Sequence, residues 1–389
     1  MDGFASRAIP VLVGLFAFFT PFSIAGAHSS LGAAVFVLLL SPDGRRRSAE
    51  LVRHPLALPL GAWCLVSVAA VVFAVHPDQS FSKLKKLLLI SLLPLGTLPA
   101  VRRAVRPIVL ALIASTAIVA LWGLVAFFLA GGGLDARIRG ISGFYMTVAG
   151  ILMLVGLVTL SELVAALRDP NPRRLAFLIV AEVAILAALL GTYTRGSWIG
   201  FVAGAAWLFR KRRAALLSVV VAAVLAVVLG PSDLRERSVG LFLPDHPRNV
   251  ERVVIWEHGL GLIAEKPLTG YGLVIPKEIM DHEVETPYGT ARVHSHMHNV
   301  YLQIAVSMGV PALIVFGWLI FALFRMARRA ERAVVWNLWE QGLVAALPAC
   351  LIAMLANGFF EWNFGDSEIL GLLYLLVGLT LGVEKGTET

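Results

Sequence analysis

The chain has few charged residues and almost no cysteine. Asp, Glu, Lys and Arg make up 15% of its 389 residues, against about 25% in an average soluble protein. The two cysteines, Cys64 and Cys350, both fall inside apolar runs, which argues against a disulfide framework and a cysteine-based metal site. The sequence has no Asp-x-Asp pair, no repeat of fixed period and no low-complexity tract. These absences argue against a soluble domain, a disulfide-rich protein and a repeat protein.

Long apolar runs are what the chain has instead, and hydrophobic residues reach 58% of the total. A hydrocarbon core about 30 Å thick is crossed by about 20 largely apolar helical residues, and many such runs are present. We therefore predict an all-α polytopic membrane protein with about twelve transmembrane helices. Pro21 in the first span and Pro311 in the tenth predict kinks. The predicted spans are 8–24, 28–41, 55–75, 85–100, 106–130, 143–167, 174–193, 196–210, 213–230, 298–324, 340–358 and 367–384.

Basic residues between the spans predict the orientation in the membrane. With twelve spans, all the basic stretches lie on one side, which the positive-inside rule identifies as the cytoplasm, together with both termini. The net charge of +8 mostly reflects these stretches and needs no nucleic acid to explain it. Ala25-Gly26-Ala27 resembles a signal-peptide cleavage site, but the apolar run that follows favours an uncleaved hairpin. The basic stretches are 45–47, 102–103, 173–174, 210–213 and 325–332.

One predicted external connection is much longer than the others and divides the chain into three parts. Residues 1–230 hold predicted helices 1–9, residues 231–297 form the loop, and residues 298–389 hold helices 10–12. A connection of this length in a compact protein is usually functional or disordered. Between Arg252 and Ile263 its apolar residues have roughly helical spacing, so we expect it to fold over the membrane domain as a lid or cap.

Arginines on the predicted external side point to an anionic ligand. Arg139, Arg195, Arg248 and Arg252 lie there, although the positive-inside rule disfavours arginine on that face. Guanidinium stays charged at physiological pH and binds phosphate oxygens through a planar fork. Lys86, at the external end of the fourth span, adds a less directional attraction. The pattern predicts a lipid-linked phosphate or pyrophosphate at the external surface, and the alternative is that these side chains snorkel to lipid headgroups.

Three of the nine histidines crowd into HSHMHN, at residues 294–299, directly before an apolar run. One interpretation is a metal site, with Asp281, Glu283 and Glu285 completing the ligands. A second is a set of polar residues at a membrane interface with no chemical role. A third is a general base, because imidazole exchanges a proton near neutral pH. We favour the third for His298, because the start of a rigid helix can hold it in place.

Four motifs occur in a distinctive order. TRGSWIG around Arg195 is followed by RVVIW from Arg252, by PLTGYG, and by HNVYLQIAVSMG from His298. In this order they resemble the O-antigen ligase/polymerase superfamily of bacterial envelope glycosyltransferases, whose fold is GT-C-like. The single large loop is most similar to that of O-antigen ligases. The resemblance implies a multi-pass protein of the bacterial inner membrane, with a periplasmic loop and its active site on the periplasmic side.

The resemblance also implies an activity and roles for particular residues. O-antigen ligases transfer a polysaccharide from undecaprenyl pyrophosphate to a sugar of lipid A–core, with inversion and with no metal or other cofactor. In this chain His298 would be the general base, and Arg195 and Arg252 would stabilise the leaving pyrophosphate. The remaining candidate substrate-binding residues are Arg139, Arg248, Lys86 and Asn299.

Alternatives of two kinds stay open. The same superfamily contains O-antigen polymerases and protein O-oligosaccharyltransferases, which resemble the ligases in sequence. A secondary transporter, from a different class of protein, can also have about twelve spans. Transporters usually place ionisable groups near the membrane midplane, whereas the charges here cluster at the predicted external surface. Glycan transfer predicts that Arg195, Arg252 and His298 meet in one external groove.

Overall fold

Helices form most of the chain in the computed structural model, which describes residues 2–141, 143–168, 171–229, 232–240, 243, 245–293, 296–332 and 337–385. Two 3-10 helices cover Leu84–Ser91 and Asn363–Gly365, and a hairpin has strands β1 His282–Thr286 and β2 Gly289–Val293. The α-helices are α1 Asp2–Phe19, α2 Ile24–Leu40, α3 Pro42–Leu51, α4 Ala57–Val72, α5 Pro77–Phe81, α6 Leu92–Gly96, α7 Pro99–Arg103, α8 Val105–Leu129, α9 Tyr145–Ala166, α10 Pro172–Gly191, α11 Arg195–Leu208, α12 Arg213–Leu229, α13 Ser232–Val239, α14 Pro247–Glu265, α15 Lys277–Met280, α16 Val300–Met308, α17 Val310–Ala330, α18 Leu338–Asn357 and α19 Ser367–Lys385.

Among the described residues, six helices are long and apolar enough to cross a membrane: α8, α9, α10, α17, α18 and α19. Helices α2 and α3 meet at a bend of 99° and would make a seventh span if taken together. Helices α1 and α4 are apolar but shorter. The protein is therefore a multi-pass helical membrane protein. Five of the twelve predicted spans are single long apolar helices, and the sixth such helix, α17, is the second part of the tenth predicted span.

The fourth predicted span, 85–100, is not one helix. A 3-10 helix leads into the short α6, and the chain then passes through Leu98 into α7. Leu98 has extended backbone angles (φ −66°, ψ 134°), as residues before a proline usually do. Helix α6 also packs very closely on α19, since a Cβ on Gly96 would lie 2.1 Å from the carbonyl carbon of Gly378. This apolar run therefore forms a broken segment against α19.

The tenth predicted span, 298–324, is also broken, into α16 and α17. Gly309, between the two helices, has φ +82°, a conformation that favours glycine. A Cβ at this position would lie 2.3 Å from the carbonyl oxygen of Leu268. The kink expected at Pro311 is thus a full helix break two residues earlier, and the proline lies in the first turn of α17, where its missing N–H costs nothing.

The PLTGYG turn binds to this helix break through its backbone. The last carbonyl groups of a helix have no partner within the helix and need one elsewhere. Tyr271 N donates to Val306 O at 2.9 Å, and Gly272 N donates to Ser307 O at 2.9 Å. The turn and the broken helix therefore form one unit, which explains why the two motifs occur together in the sequence.

Helix α11 packs against α18 through a stripe of glycines. Gly196, Gly200 and Gly204 face α18 at every fourth residue, and a Cβ on Gly200 would lie 2.7 Å from the carbonyl oxygen of Ala353. Small residues at this spacing allow two membrane helices to approach closely. The contact holds Arg195, the first residue of α11, near the C-terminal end of α18.

The long loop, 231–297, contains α13, α14, α15 and the hairpin where it is described. Helix α14 covers the segment whose spacing predicts a helix. The hairpin is an addition to the all-α prediction, and it turns at Gly289, which has φ +108°. Its strands pair in antiparallel register from His282 with Val293 to Thr286 with Gly289. A small apolar cluster joins the loop to α16 through Ile255, Leu262, Tyr271, Met280, Met297 and Val306.

Arginines and carboxylates pair at one end of the helix bundle. Arg102 lies 3.4 Å from Glu340 at the start of α18, and Arg210 lies 3.3 Å from Glu331. Both arginines belong to the stretches that predict the cytoplasmic side. Glu361 follows the other end of α18, so the length of this helix separates the paired arginines from the cavity described next.

Candidate active site

A cavity of about 220 Å³ lies where the ends of α11, α14, α16 and α18 meet. Its charged lining comes from four separate segments. Arg195 begins α11, Arg248 and Arg252 lie on α14, His298 precedes α16, and Glu361 follows α18. Glu251, also on α14, lines the cavity as well. The structure therefore brings three arginines, a histidine and two carboxylates from four distant segments of the chain into one small space. We call it the arginine cavity.

Arg195 is only 6% exposed although it lies in the shortest of the predicted external connections. One of its guanidinium nitrogens donates to Asn249 Oδ1 at 3.5 Å, which links α11 to α14. As the first residue of α11, it also lies at the positive end of that helix dipole. The local sequence thus concentrates positive charge at one wall of the arginine cavity.

The three arginines repel one another. Burial, together with the nearby charges of Arg252 and Arg248, lowers the pKa of Arg195 to about 10. Burial is also the main reason why the pKa of Arg252 is lowered, while Glu361 acts in the opposite direction. A pKa of about 10 still leaves Arg195 protonated at neutral pH. An anion bound between these side chains would relieve both the repulsion and the loss of hydration.

Contacts on both sides hold the backbone of His298 in position. Gln303 Oε1 accepts a hydrogen bond from Met297 N at 2.8 Å, and Trp256 Nε1 donates to Met297 O at 3.1 Å. On the other side, Asn299 is the N-cap of α16, and its Oδ1 accepts from the backbone of Tyr301 at 2.9 Å. His298 therefore enters the cavity from a fixed peptide between α14 and α16.

Two residues that line the arginine cavity have left-handed backbone conformations. His298 has φ +47° and Tyr193 has φ +54°, and they are the described non-glycine residues with positive φ. Such conformations cost on the order of 1–3 kcal/mol and cluster at functional sites. Their coincidence at one cavity is an observation, independent of the motifs, that points to this place.

Glu361 is a buried carboxylate of this cavity that the sequence interpretation missed. It is 4% exposed and lies between the histidine and an arginine. Its Oε2 is 3.5 Å from His298 Nδ1, and its Oε1 is 3.8 Å from an Arg252 guanidinium nitrogen. Both distances are those of ion pairs, and His298 Nδ1 makes no hydrogen bond within the described residues. The carboxylate can therefore orient the imidazole and balance part of the arginine charge.

The other predicted site residues lie elsewhere. Arg139 and Lys86 line a neighbouring, larger cavity of about 780 Å³, and Lys86 Nζ donates to the Gly365 carbonyl. Asn299, expected to orient His298 or to bind sugar, is 6% exposed and caps α16. The His296 ring lies 4.1 Å from that of His298 between centroids. His294 falls outside the described residues.

The metal interpretation finds no support in the described part of the chain. There, no group of three His, Cys, Asp or Glu side chains comes close enough together to hold a metal ion. Glu283 and Glu285 lie on β1, and the part of the hairpin that leads to His296 includes residues that are not described. The carboxylate nearest to His298 is instead Glu361, which the metal interpretation did not include.

Comparison with known proteins adds to these observations. Residues 180–317 match the O-antigen ligase family. A Rickettsia conorii protein with the provisional name polysaccharide ligase is 30% identical over 144 residues, which cover 36% of this chain and 32% of the relative. Proteins of the same provisional name from Rickettsia felis and Rickettsia typhi are 24% and 23% identical. These matches cover 78% and 81% of this chain, and 73% and 78% of the relatives.

These matches confirm the resemblance to O-antigen ligases that the motif order indicates. The segment matched by the family contains Arg195, Arg248, Arg252 and His298, but it ends before Glu361. The chain spans about a third of the length of the first relative and about three quarters of the other two.

Proposed function

We propose that this protein is a glycosyltransferase that ligates a polysaccharide, carried on undecaprenyl pyrophosphate, to a sugar of lipid A–core. The similarity to the O-antigen ligase family supports the type of reaction. The observation that carries the proposal is the arginine cavity, where Arg195, Arg248 and Arg252 surround His298 and Glu361. Guanidinium groups crowded in this way favour a ligand with two adjacent phosphates, and the imidazole beside them is suited to proton transfer.

In the proposed reaction, His298 is the general base. Its Nδ1 faces Glu361, which leaves Nε2 to take the proton from the acceptor hydroxyl. The acceptor oxygen forms a bond to the anomeric carbon while the bond from that carbon to the pyrophosphate oxygen breaks. The electron pair leaves with undecaprenyl pyrophosphate on the opposite face, so the anomeric configuration inverts. Glu361 holds the imidazole in the required orientation and stabilises the imidazolium that forms.

Arg195 and Arg252 stabilise the charge that grows on the leaving pyrophosphate, and Arg248 adds a further contact. Preorganised charges aimed at a leaving group are worth much more in a buried site than in water. Because two or three guanidinium groups already supply this positive charge, we propose that the transfer needs no divalent metal. Asn299 contributes by fixing the start of α16 and hence the position of His298.

We further propose the arrangement of the chain in the bacterial inner membrane. Twelve spans, with residues 231–297 as a periplasmic cap between the ninth and the tenth, would place both termini in the cytoplasm. The pairing of Arg102 and Arg210 with carboxylates at one end of the bundle, away from Glu361, supports this orientation. The arginine cavity would then open to the periplasmic side, where the lipid-linked donor and the lipid A–core acceptor meet.

Reconstitution tests the proposed function. The purified protein in nanodiscs is supplied with undecaprenyl-pyrophosphate oligosaccharide and lipid A–core, with and without excess EDTA. We expect ligated lipid A–core in both cases, with the anomeric configuration opposite to that of the donor by NMR.

Other products would argue for the alternatives. A glycan that lengthens on undecaprenyl pyrophosphate would favour a polymerase, and transfer to a protein hydroxyl would favour a protein O-oligosaccharyltransferase. Uptake of a soluble solute into sealed vesicles, without any transfer product, would favour a transporter. Activity that disappears with EDTA and returns with Mg²⁺ or Zn²⁺ would contradict the metal-independent mechanism.

A further inference from the structure

A second and larger cavity adjoins the arginine cavity. It measures about 780 Å³, within the range of binding pockets for small organic ligands. Tyr145, Met146 and Glu361 line both cavities and form the wall between them. A ligand in the larger cavity would therefore lie across this wall from His298, without occupying the space between the three arginines.

Cationic side chains line the larger cavity from two sides. Lys83, Lys85 and Lys86 come from the 3-10 helix and the residue before it, and Arg137 and Arg139 come from the segment before α9. The Arg137 guanidinium lies 3.4 Å from the centroid of the Tyr145 ring, which fixes it at the wall shared with the arginine cavity. The opposed cations are suited to a ligand with phosphate or carboxylate groups.

Two enclosed donors in this lining have no partner within the described part of the chain. They are one guanidinium nitrogen of Arg137 and the side-chain nitrogen of Asn363, a residue only 1% exposed. A buried donor without a hydrogen bond costs about 1–3 kcal/mol, so most buried donors in proteins are paired. Both atoms are themselves enclosed, so they add positive partial charge to the lining rather than direct contacts with a ligand.

Carboxylates and an aromatic ring complete the lining. Asp366 Oδ2 accepts a hydrogen bond from Thr147 Oγ1 at 2.8 Å, and burial raises the pKa of this carboxyl to about 6. At neutral pH most of it is therefore ionised, as an acceptor for hydroxyl groups. Trp362 and Glu361 line the same space. A simple phosphate headgroup gains nothing from these carboxylates, whereas a ligand rich in hydroxyl groups does.

We propose that the larger cavity binds an anionic saccharide, and that this saccharide is the acceptor of the transfer. The assignment of this saccharide as the acceptor rests on the proposed function, in which the donor pyrophosphate occupies the arginine cavity. Lysine and arginine side chains bind the phosphate or carboxylate substituents of the sugar. The carboxylates accept hydrogen bonds from its hydroxyl groups. The shared wall then presents the acceptor hydroxyl to His298 from the side opposite the leaving group.

A binding experiment without transfer tests this assignment. Wild-type protein in phosphatidylcholine nanodiscs is titrated with a deacylated core oligosaccharide, either with its phosphates intact or after their removal. The variant Lys85→Gln/Arg139→Gln removes two exposed cations from opposite walls of the cavity. The matched control, Lys277→Gln/Arg235→Gln, removes two exposed cations elsewhere on the predicted external side.

We expect the phosphorylated saccharide to bind the cavity variant roughly tenfold or more weakly than wild type, which corresponds to about 1.4 kcal/mol. The control variant should bind it like wild type, and removal of the phosphates should weaken wild-type binding to a similar degree. Equal affinity of wild type and cavity variant would overturn the assignment. So would displacement of the saccharide by dioctanoyl phosphatidylglycerol, which would identify a lipid-headgroup site.

This measurement separates the two proposals. If the saccharide binds as expected but no transfer occurs with any donor, the proposed function fails and the saccharide site stands. If transfer occurs but the cavity variant binds and reacts like wild type, the acceptor lies elsewhere and the proposed function stands.

Discussion

Arg195 and Arg252 face one cavity from two different helices, and the type of cation should matter there. A lysine keeps the charge but cannot form the bidentate fork that matches phosphate oxygens. We therefore expect Arg195→Lys and Arg252→Lys each to reduce transfer about 10²- to 10³-fold, the usual effect of losing one preorganised charge contact. Transfer rates in nanodiscs check this, with Lys277→Gln as the control for surface charge. Full activity in both lysine variants would remove these arginines from the reaction.

Glu361 lies 3.5 Å from His298 and should act through it as a positioning residue. Glu361→Gln should lower kcat about 10- to 100-fold. A positioned general base contributes a factor of roughly 10²–10⁴ in rate, and this variant keeps the base but loses the carboxylate that orients it. The KM for the donor should change little. The acidic limb of the pH–rate profile should move to lower pH, because the protonated imidazole loses the carboxylate that stabilises it.

The direction of this shift separates the proposed role from a purely structural one. A variant that is only misfolded loses activity at every pH without moving the limb. Glu361→Asp, which keeps the carboxylate on a shorter side chain, should recover part of the rate and restore the wild-type profile. An unchanged limb in Glu361→Gln would show that the carboxylate does not act on His298.

The sequence points to His298, Arg195 and Arg252 as candidate site residues, but not to Glu361. These three residues stand in motifs next to apolar runs, where charged and polar side chains are conspicuous. Glu361 lies in FFEWNFGD, a short predicted external connection between two spans that carries none of the four motifs. Its signal was the same as that of Arg195: a charged residue in a very short link on the predicted external side. What brings it to His298 is the packing of α16 on the end of α18, where Val300 N donates to Gly358 O at 2.7 Å.

The break between α16 and α17 is a structural element in its own right, and Gly309 allows it. Gly309→Ala would strain a residue at φ +82° and ψ 166°, an essentially glycine-only conformation, by about 1–3 kcal/mol, and push a Cβ to 2.3 Å from Leu268 O. We expect this variant to separate the PLTGYG turn from the helix break, lower the thermal unfolding temperature and reduce transfer. Gly317→Ala is the matched control, because a Cβ there meets nothing within 4 Å. Equal unfolding temperatures for the two variants would contradict the account of the break.

The length of the apolar runs predicted the continuous helices better than the broken ones. Helices α8, α9, α10, α18 and α19 each coincide closely with one predicted apolar span, because continuous apolarity is all that such a helix requires. The segments 85–100 and 298–324 are equally apolar, but close backbone contacts with α19 and with the PLTGYG turn decide their shape. Such contacts join residues that are distant in sequence, so a linear pattern does not reveal them.

The whole chain should cross the membrane an even number of times. Twelve spans would put the C-terminus in the cytoplasm and the hairpin of the cap in the periplasm. Green fluorescent protein fused to the C-terminus should fluoresce, and alkaline phosphatase at the same place should be inactive. Alkaline phosphatase inserted after Tyr288, in the exposed turn of the hairpin, should be active. An active phosphatase at the C-terminus would contradict a topology of twelve spans with both termini in the cytoplasm.

The central claim is that His298, in the arginine cavity, takes the proton from the hydroxyl group of the acceptor sugar. The most direct test measures donor binding and transfer rate on the same purified variants. His298→Ala should bind undecaprenyl-pyrophosphate oligosaccharide like wild type, because the arginines remain, and lose about 10²–10⁴ in transfer rate. His296→Ala and His294→Ala should lose far less, because neither is expected to take the proton. Transfer by His298→Ala at the wild-type rate, or equal failure of all three variants, would contradict the assignment.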